Sequence, residues 1–195
     1  MATAFTPQER ETIRQALLRS AMERAASTGL RSTTIEQLAR DAGISKAAFY
    51  KFYESKEHLF LAVLEALHAE MYGNAERVLA ERPELPVPQR MTLAIHEVCS
   101  VLRKHRLSRF IEEDAPLVLR KLPPNLLAEH YRSDTELIRH LLAGEGFRLS
   151  IPLELGCTIV RMVLSTLIHE RTLGPDYAQA LDTVIGAVCD KVILA

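Results

Sequence analysis

Apolar residues return every three or four positions along nearly the whole chain, a rhythm that admits helices and little else. Ile13, Ala16, Leu17, Ala21 and Ala25 mark one face of a first helix. Thr6-Pro7-Gln8-Glu9 ahead of it offers an N-cap, a proline at the first helical position and a capping-box glutamate. Gly29 supplies the left-handed exit, and Leu30 can fold back on the last turn. Thr33 or Thr34 caps a second, short helix that turns Ile35, Leu38, Ala39 and Ala42 inward. Gly43 breaks it. Ser45 caps a third helix, running to about Tyr53, and Ser55 caps a fourth, running to about Leu79.

Three prolines between Glu81 and Pro88 mark a linker. Helices are expected beyond it near 88–104, 107–121 (broken at Pro116), 124–143, 151–173 and 175–194. Gly144 and Gly146 end the third of these, Ser150 caps the fourth, and Gly174-Pro175 separates the last two. Alternating runs of β-branched residues are missing, so the expected fold class is all-α.

The 195 residues are 48% hydrophobic and 25% charged, an ordinary globular composition. No apolar run approaches the ~20 residues of a membrane-spanning helix. The opening MATAFTPQER lacks a secretory pattern, so the expected location is cytoplasmic. Cys99, Cys157 and Cys189 are odd in number and form no C-x-x-C pair, against a disulfide framework or a cysteine-rich zinc site. His96-Glu97 and His169-Glu170 each begin H-E-x-x-H, but Ser100 and Leu173 stand where the second histidine belongs. Nucleophile elbows and phosphate-cradling or dinucleotide-binding glycine turns are missing too. The expectation is therefore a non-enzyme with no metal and no cofactor.

Net charge is −1, yet residues 1–58 carry nine Lys/Arg against seven Asp/Glu and the remainder fifteen against eighteen. Local placement of cations matters more than the sum. A short helix, Gly43-Ile44, then a Ser-capped helix is the geometry of a helix-turn-helix. The second helix would enter a major groove with Lys46, Ala47, Ala48, Tyr50 and Lys51 outward. Its small residues let the backbone approach base edges, while the lysines and the tyrosine hydroxyl reach phosphates. Ser55-Lys56 adds free backbone amides and a cation, a phosphate clamp. The same geometry also occurs in plain three-helix bundles with solvated lysines.

The string Thr34-Ile35-x-x-Leu38-Ala39-x-x-Ala42-Gly43-Ile44-Ser45-Lys46-Ala47-Ala48-Phe49-Tyr50-Lys51-Phe52-Tyr53-Glu54-Ser55-Lys56-Glu57-x-Leu59-Phe60 closely resembles the DNA-binding signature of TetR-family transcriptional regulators. The resemblance covers roughly residues 10–60. It implies an all-α homodimer with an N-terminal helix-turn-helix and a larger C-terminal ligand-binding and dimerisation domain. On this reading residues 1–55 form the DNA-binding domain and residues 56–195 the effector-binding and dimerisation domain. Thr34, Ser45, Lys46, Tyr50, Lys51 and Lys56 match positions that touch phosphate or base edges. Ala47 stands where glycine is common, Ala48 where threonine or serine is common, and Tyr53 replaces a frequent phenylalanine. The loss of a hydroxyl at Ala48 bears on base preference.

Beyond about residue 65 the residues alone speak. Cys157, Arg161, Ser165 and His169 recur at four-residue steps along one stripe of an otherwise apolar helix. A buried Arg161 would need a partner: a ligand's acid group, Glu112, Glu113 or Asp114. The stripe could equally face a dimer seam or solvent. Met91, Ile95, Cys99 and Leu102, with Phe110 and Leu141 on neighbouring helices, suggest a mostly apolar cavity, although such stripes are more often plain core. Leu181, Val184, Ile185, Val188 and Val192 give the last helix an apolar face broad enough to pair with a second subunit. The sequence thus points to a dimeric regulator, a repressor released from a palindromic operator by a small molecule. The alternatives are a ligand-free helical interaction protein, which would show a fully packed C-terminal core, and a helical enzyme with a DNA-binding head.

Overall fold

Caps start the first helices where side chains can satisfy their free amides. In a computed structural model, which describes residues 5–144 and 146–194 with the Leu102 side chain outside that description, Thr6 accepts the Glu9 amide at 3.2 Å. Glu9 returns the bond to the Thr6 amide at 2.7 Å, and α1 runs Pro7–Ala26. Thr34 and Gln37 close a second capping box on α2 (Ile35–Asp41), and Ser45 caps α3 (Lys46–Phe49). The third helix is one turn long and ends before Phe52 and Tyr53, shorter than its pattern suggested. α4 follows over Lys56–Glu81.

The remaining helices are α5 (Val87–Lys104), a π-helical turn Phe110–Asp114 leading into α6 (Ala115–Lys121), α7 (Pro124–Leu142), α8 (Leu153–Ser165), a 3-10 turn Thr166–His169, α9 (Glu170–Leu173) and α10 (Tyr177–Val192). The fold is all-α apart from Arg148–Leu149 paired antiparallel with Ile193–Leu194. Contacts divide the chain into two compact units: residues 1–66 with 109–123, and residues 67–108 with 124–195.

Three local expectations are corrected. Pro116 does not break its helix. The Ala115 amide bonds to Phe110, five residues back, and this wider turn admits a proline that would clash with an ordinary α-helical carbonyl. The expected helix 151–173 is interrupted at 166–169. There Ser165 and Thr166 hydroxyls each donate to carbonyls three residues back, at 2.7 Å, and compete with the helical ladder. Ser150 caps nothing; its hydroxyl and amide bind the carbonyls of Lys191 and Val192, fastening the two-residue ribbon.

In the first unit, Leu17, Leu38, Phe49, Leu59 and Phe60 are fully buried, and Phe60 lies 5.7 Å from Phe110 between ring centroids. Asp41 takes Ser20 and Arg24 together, at 2.8 and 2.6 Å, and joins α1 to α2. The second unit is built on α10 along α5 and on α7 against α8. Met91, Ile95, Ile138, Val160 and Ile185 are among its buried residues.

Candidate nucleic-acid interface

Gly43 adopts φ +70°, and the Ile44 amide reaches back to the Ala39 carbonyl at 2.9 Å, which stops α2 and turns the chain into α3. Phe49 faces inward, fully buried, with Tyr50 edge-on at 5.7 Å and Tyr53 at 6.1 Å. Burying that one ring sends the opposite side of α3 to solvent. Ser45, Lys46, Ala47, Tyr50 and Lys51 are exposed, and Ala48 is half-buried. This surface offers a small-residue floor between two lysines and a phenol, compatible with close approach to a base-pair edge.

Most polar groups on and around this surface already have a partner within the chain. Thr34 and Ser45 use their hydroxyl oxygens as caps, as above. The Lys46 ammonium pairs with Glu36 at 2.6 Å, which lowers the Glu36 carboxyl and raises the Lys46 amine from their ordinary values. Lys51 Nζ lies 5.8 Å from the Phe5 ring centroid. Arg10 stacks over Phe52 at 5.0 Å and donates to the Lys51 carbonyl at 3.4 Å, so the start of α1 supports the end of the α3 turn. Lys56 donates to the carbonyls of both Leu30 and Thr33, each at 2.9 Å. Two of its three N–H bonds thus fasten the 29–33 loop, a role the sequence did not suggest, and one remains for a phosphate.

Two further residues stand behind this surface without any motif to announce them. Asp114 accepts the Leu30 amide at 2.8 Å. Lys121 pairs with Glu57 at 2.9 Å; burial pushes the Glu57 carboxyl up, but the lysine's hydrogen bond leaves it below its usual range.

Residues 17–63 match the family model of bacterial regulatory proteins, tetR family. The matched segment runs from within α1 into α4 and so includes the whole helix-turn-helix. The chain is 26% identical over 102 residues to the HTH-type transcriptional regulator YhgD of Bacillus subtilis, covering 52% of each chain. The match therefore spans about half the length of that curated relative. Its fold is similar to that of a transcriptional regulator from Rhodococcus sp. Rha1, with a TM-score of 0.62 at 23% identity, covering 93% of this chain and 98% of the other. It is also similar to FadR from Bacillus subtilis, solved in complex with stearoyl-CoA, with a TM-score of 0.61 at 16% identity, covering 90% and 96%.

The residues proposed for an effector do not line one common cavity. Phe110 belongs to the first unit, buried beside Phe60. Met91 and Ile95 line a void of about 20 Å³ with Leu142, Val160 and Val188, too small for more than a water. Cys99 is fully buried, and burial pushes its thiol up to about 11. Leu141 is buried at the edge of a separate groove. The Leu102 side chain lies outside the described residues. Of the α8 stripe only Cys157 is buried; Arg161, Ser165 and His169 are exposed, and the 3-10 turn takes His169 out of line. Beside that helix is a polar cluster no motif announced. Tyr72 donates to Asp134 at 3.2 Å, His68 lies 3.7 Å from the same carboxylate, and His68 stacks on His130 at 5.2 Å.

The last helix divides by face. Leu181 and Ile185 are buried within their own unit, Val188 and Val192 are half-buried, and Val184 is 48% exposed. Met162 (64%) and Leu155 (47%) on α8 and Leu173 on α9 (60%) are also exposed. Apolar grooves of about 300 and 420 Å³ run between α8 and α10, lined by Met162, Val163 and Val184 in both cases.

Proposed function

We propose that this chain is a homodimeric DNA-binding transcriptional repressor that leaves a palindromic operator when a small molecule binds its C-terminal part. In this reading residues 1–55 are the DNA-binding head and residues 56–195 the effector and dimerisation part. The observation that carries it is the outward face of α3: Ser45, Lys46, Ala47, Tyr50 and Lys51 exposed beside half-buried Ala48, on a helix whose opposite side is pinned by Phe49. Thr34 and Lys56 flank it as phosphate contacts, Lys56 through its remaining N–H.

The exposed apolar residues of α8 and α10 favour a symmetric seam in which Val184, Val188 and Val192 meet their copies together with Met162. Two heads then present α3 to successive major grooves, about 34–36 Å apart. The chain passes between its two units at 66/67, 108/109 and 123/124. A ligand that prefers one arrangement of the second unit shifts the population of head spacings, and a few kcal/mol of preference suffices to empty an operator. The fold shared with FadR, a protein solved with stearoyl-CoA, supports looking for ligands with a long apolar body. The small void at Met91 and Ile95 favours the second reading, a ligand-free interaction protein with a packed core.

Selection from a random duplex pool tests the DNA half. Wild type is expected to enrich a palindrome, and Ala48→Asp, which places a carboxylate where the groove floor would be, to enrich nothing. Equal enrichment by both proteins overturns the reading. A thermal-shift screen of fatty acids, aromatic acids and neutral drugs separates the two readings, because a ligand bound only to the folded dimer raises its midpoint.

A further inference from the structure

A groove of about 450 Å³ lies among the end of α4, the start of α5 and the end of α7, apart from the stripes considered above. It is within the range of small-molecule sites, and Leu79, Leu141 and Phe147 line it beside Glu76, Arg90 and His140. Arg90 stands in its wall. That guanidinium has five N–H bonds to satisfy and makes one long hydrogen bond, Nη1 to the Leu79 carbonyl at 3.3 Å. Its Cζ lies over the Phe147 ring, 5.7 Å from the centroid. Its Nε is buried and has no acceptor among the described residues. A shielded donor without an acceptor is costly, and a charged one more so. Elsewhere in the chain arginines at comparable depth are paired: Arg24 with Asp41 at 2.6 Å, and Arg139 with Glu154.

We propose that this groove binds a small amphipathic monocarboxylate, its acid end on the Arg90 guanidinium and its apolar body against Leu79, Leu141 and Phe147. A carboxylate supplies two acceptors for the Nη1 and Nη2 edge of the guanidinium, whose one described hydrogen bond is long; Nε is enclosed by protein and is not the atom a ligand would meet. A neutral amide offers one acceptor and no charge. Phe147 lies against the guanidinium, and Leu79 and Leu141 give a hydrocarbon or aryl body somewhere to lie. The groove also contains Glu76, whose carboxylate would repel an anion. It lies 3.5 Å from His140 Nε2, so the anionic charge on that wall has a cationic partner when the imidazole is protonated. The assignment moves the acid-binding arginine from Arg161, which is exposed, to Arg90. It rests on the reading of an effector site in the second unit only for its regulatory meaning, not for binding.

The test is calorimetry on the full-length protein with benzoate, phenylacetate and octanoate against benzamide, phenylacetamide and octanamide. The acids are expected to bind about tenfold or more tightly than their amides, a difference of about 1.4 kcal/mol. Arg90→Gln should erase that preference, and His140→Gln should preserve it. Because Arg90 also bridges to Leu79, Arg90→Lys serves as the folded control. It keeps the charge and the stem but loses the fork, and should bind the acids about fivefold to tenfold more weakly at an unchanged unfolding midpoint. Equal binding of acids and amides, no binding up to about 10 mM, or an acid preference that survives Arg90→Gln overturns the proposal. Acids that bind through Arg90 without loosening an operator duplex would leave the site standing and remove its regulatory meaning.

Discussion

Asp114 accepts the amide of Leu30 at 2.8 Å, across 84 residues of chain, through a carboxylate only 5% exposed. The loop it holds runs from the end of α1 into α2. Lys56 binds the same loop by the carbonyls of Leu30 and Thr33, and the Thr33 hydroxyl closes it on the Gly29 carbonyl at 2.7 Å. The entry to the helix-turn-helix is therefore set partly by residues 109–123, which the chain reaches only after α5.

Removing the acceptor should be expensive. Asp114→Leu leaves the Leu30 amide buried and unpaired, and is expected to lower stability by about 1–3 kcal/mol in urea unfolding. Gly29→Ala should act at the same point. Its φ is +79°, and an added Cβ would come within 2.6 Å of Asp114 Oδ2 and 2.7 Å of Arg109 Nη2. Gly43→Ala carries a similar backbone penalty (φ +70°) but meets nothing within 4 Å, so about 1–2 kcal/mol is expected there and more at Gly29. Equal costs at the two glycines would mean that the Asp114 clamp yields freely.

The salt dependence of duplex binding separates the lysines. Lys51→Met should reduce the log–log slope by about one and leave stability unchanged. Lys56→Met should reduce the slope by about one and also cost about 1–2 kcal/mol of stability, since two carbonyls lose a charged donor. Glu36→Gln works in the opposite direction. It frees Lys46 and removes an anion from the interface, so affinity at low salt should rise about two- to threefold. A fall in affinity would show that Glu36 orients Lys46 productively.

Why the head was legible and the rest was not follows from the distance over which each signal acts. Thr6, Thr34, Ser45 and Gly43 act on amides and carbonyls within a few residues, so their chemistry is written locally and the helices start and stop on it. The Asp114 and Lys56 clamps join residues 84, 26 and 23 positions apart, and no periodicity encodes such a partner. Pro116 signals a break only in α-helical register, and the π-helical turn before it removes that condition. Along α8 the four-residue spacing of Cys157, Arg161, Ser165 and His169 assumed a continuous helix. Two hydroxyls at 165 and 166 ended it. Arg90, by contrast, has no sequence signature at all: its significance lies in the acceptors it lacks.

Acid should weaken the fold through His68. Burial pushes its imidazole below the ordinary value, against the opposing pull of Asp134. The unfolded chain therefore takes up this proton first, near its ordinary value of 6.5. The contribution is fully present above about pH 6.5 and is lost as pH falls from there toward the folded value. Asp41 and Glu70, both held below the usual carboxylate range, lose their contributions only at lower pH. Urea midpoints at pH 8, 6.5 and 5.5 are expected to fall in wild type, and His68→Phe should flatten the drop between the last two. An undiminished drop in that variant would place the proton on another histidine.

The last prediction concerns the apolar face between α8 and α10. Met162 and Val184 are 64% and 48% exposed, while Ile185, one residue along, is 1% exposed. Adjacent positions on one helix thus serve different purposes: Ile185 belongs to the core of its own unit, and Val184 is free to meet a second copy. Met162→Glu and Val184→Glu leave the monomer's core untouched, so each should yield a folded monomer at micromolar concentration by light scattering, where wild type is expected to be a dimer. Each should also bind the operator far more weakly, because the two heads would no longer be tethered. Ile185→Ala, in contrast, should cost about 2–5 kcal/mol of stability, the usual penalty for truncating a buried isoleucine. Wild-type dimerisation in both glutamate variants would move the seam elsewhere and leave this face without a partner.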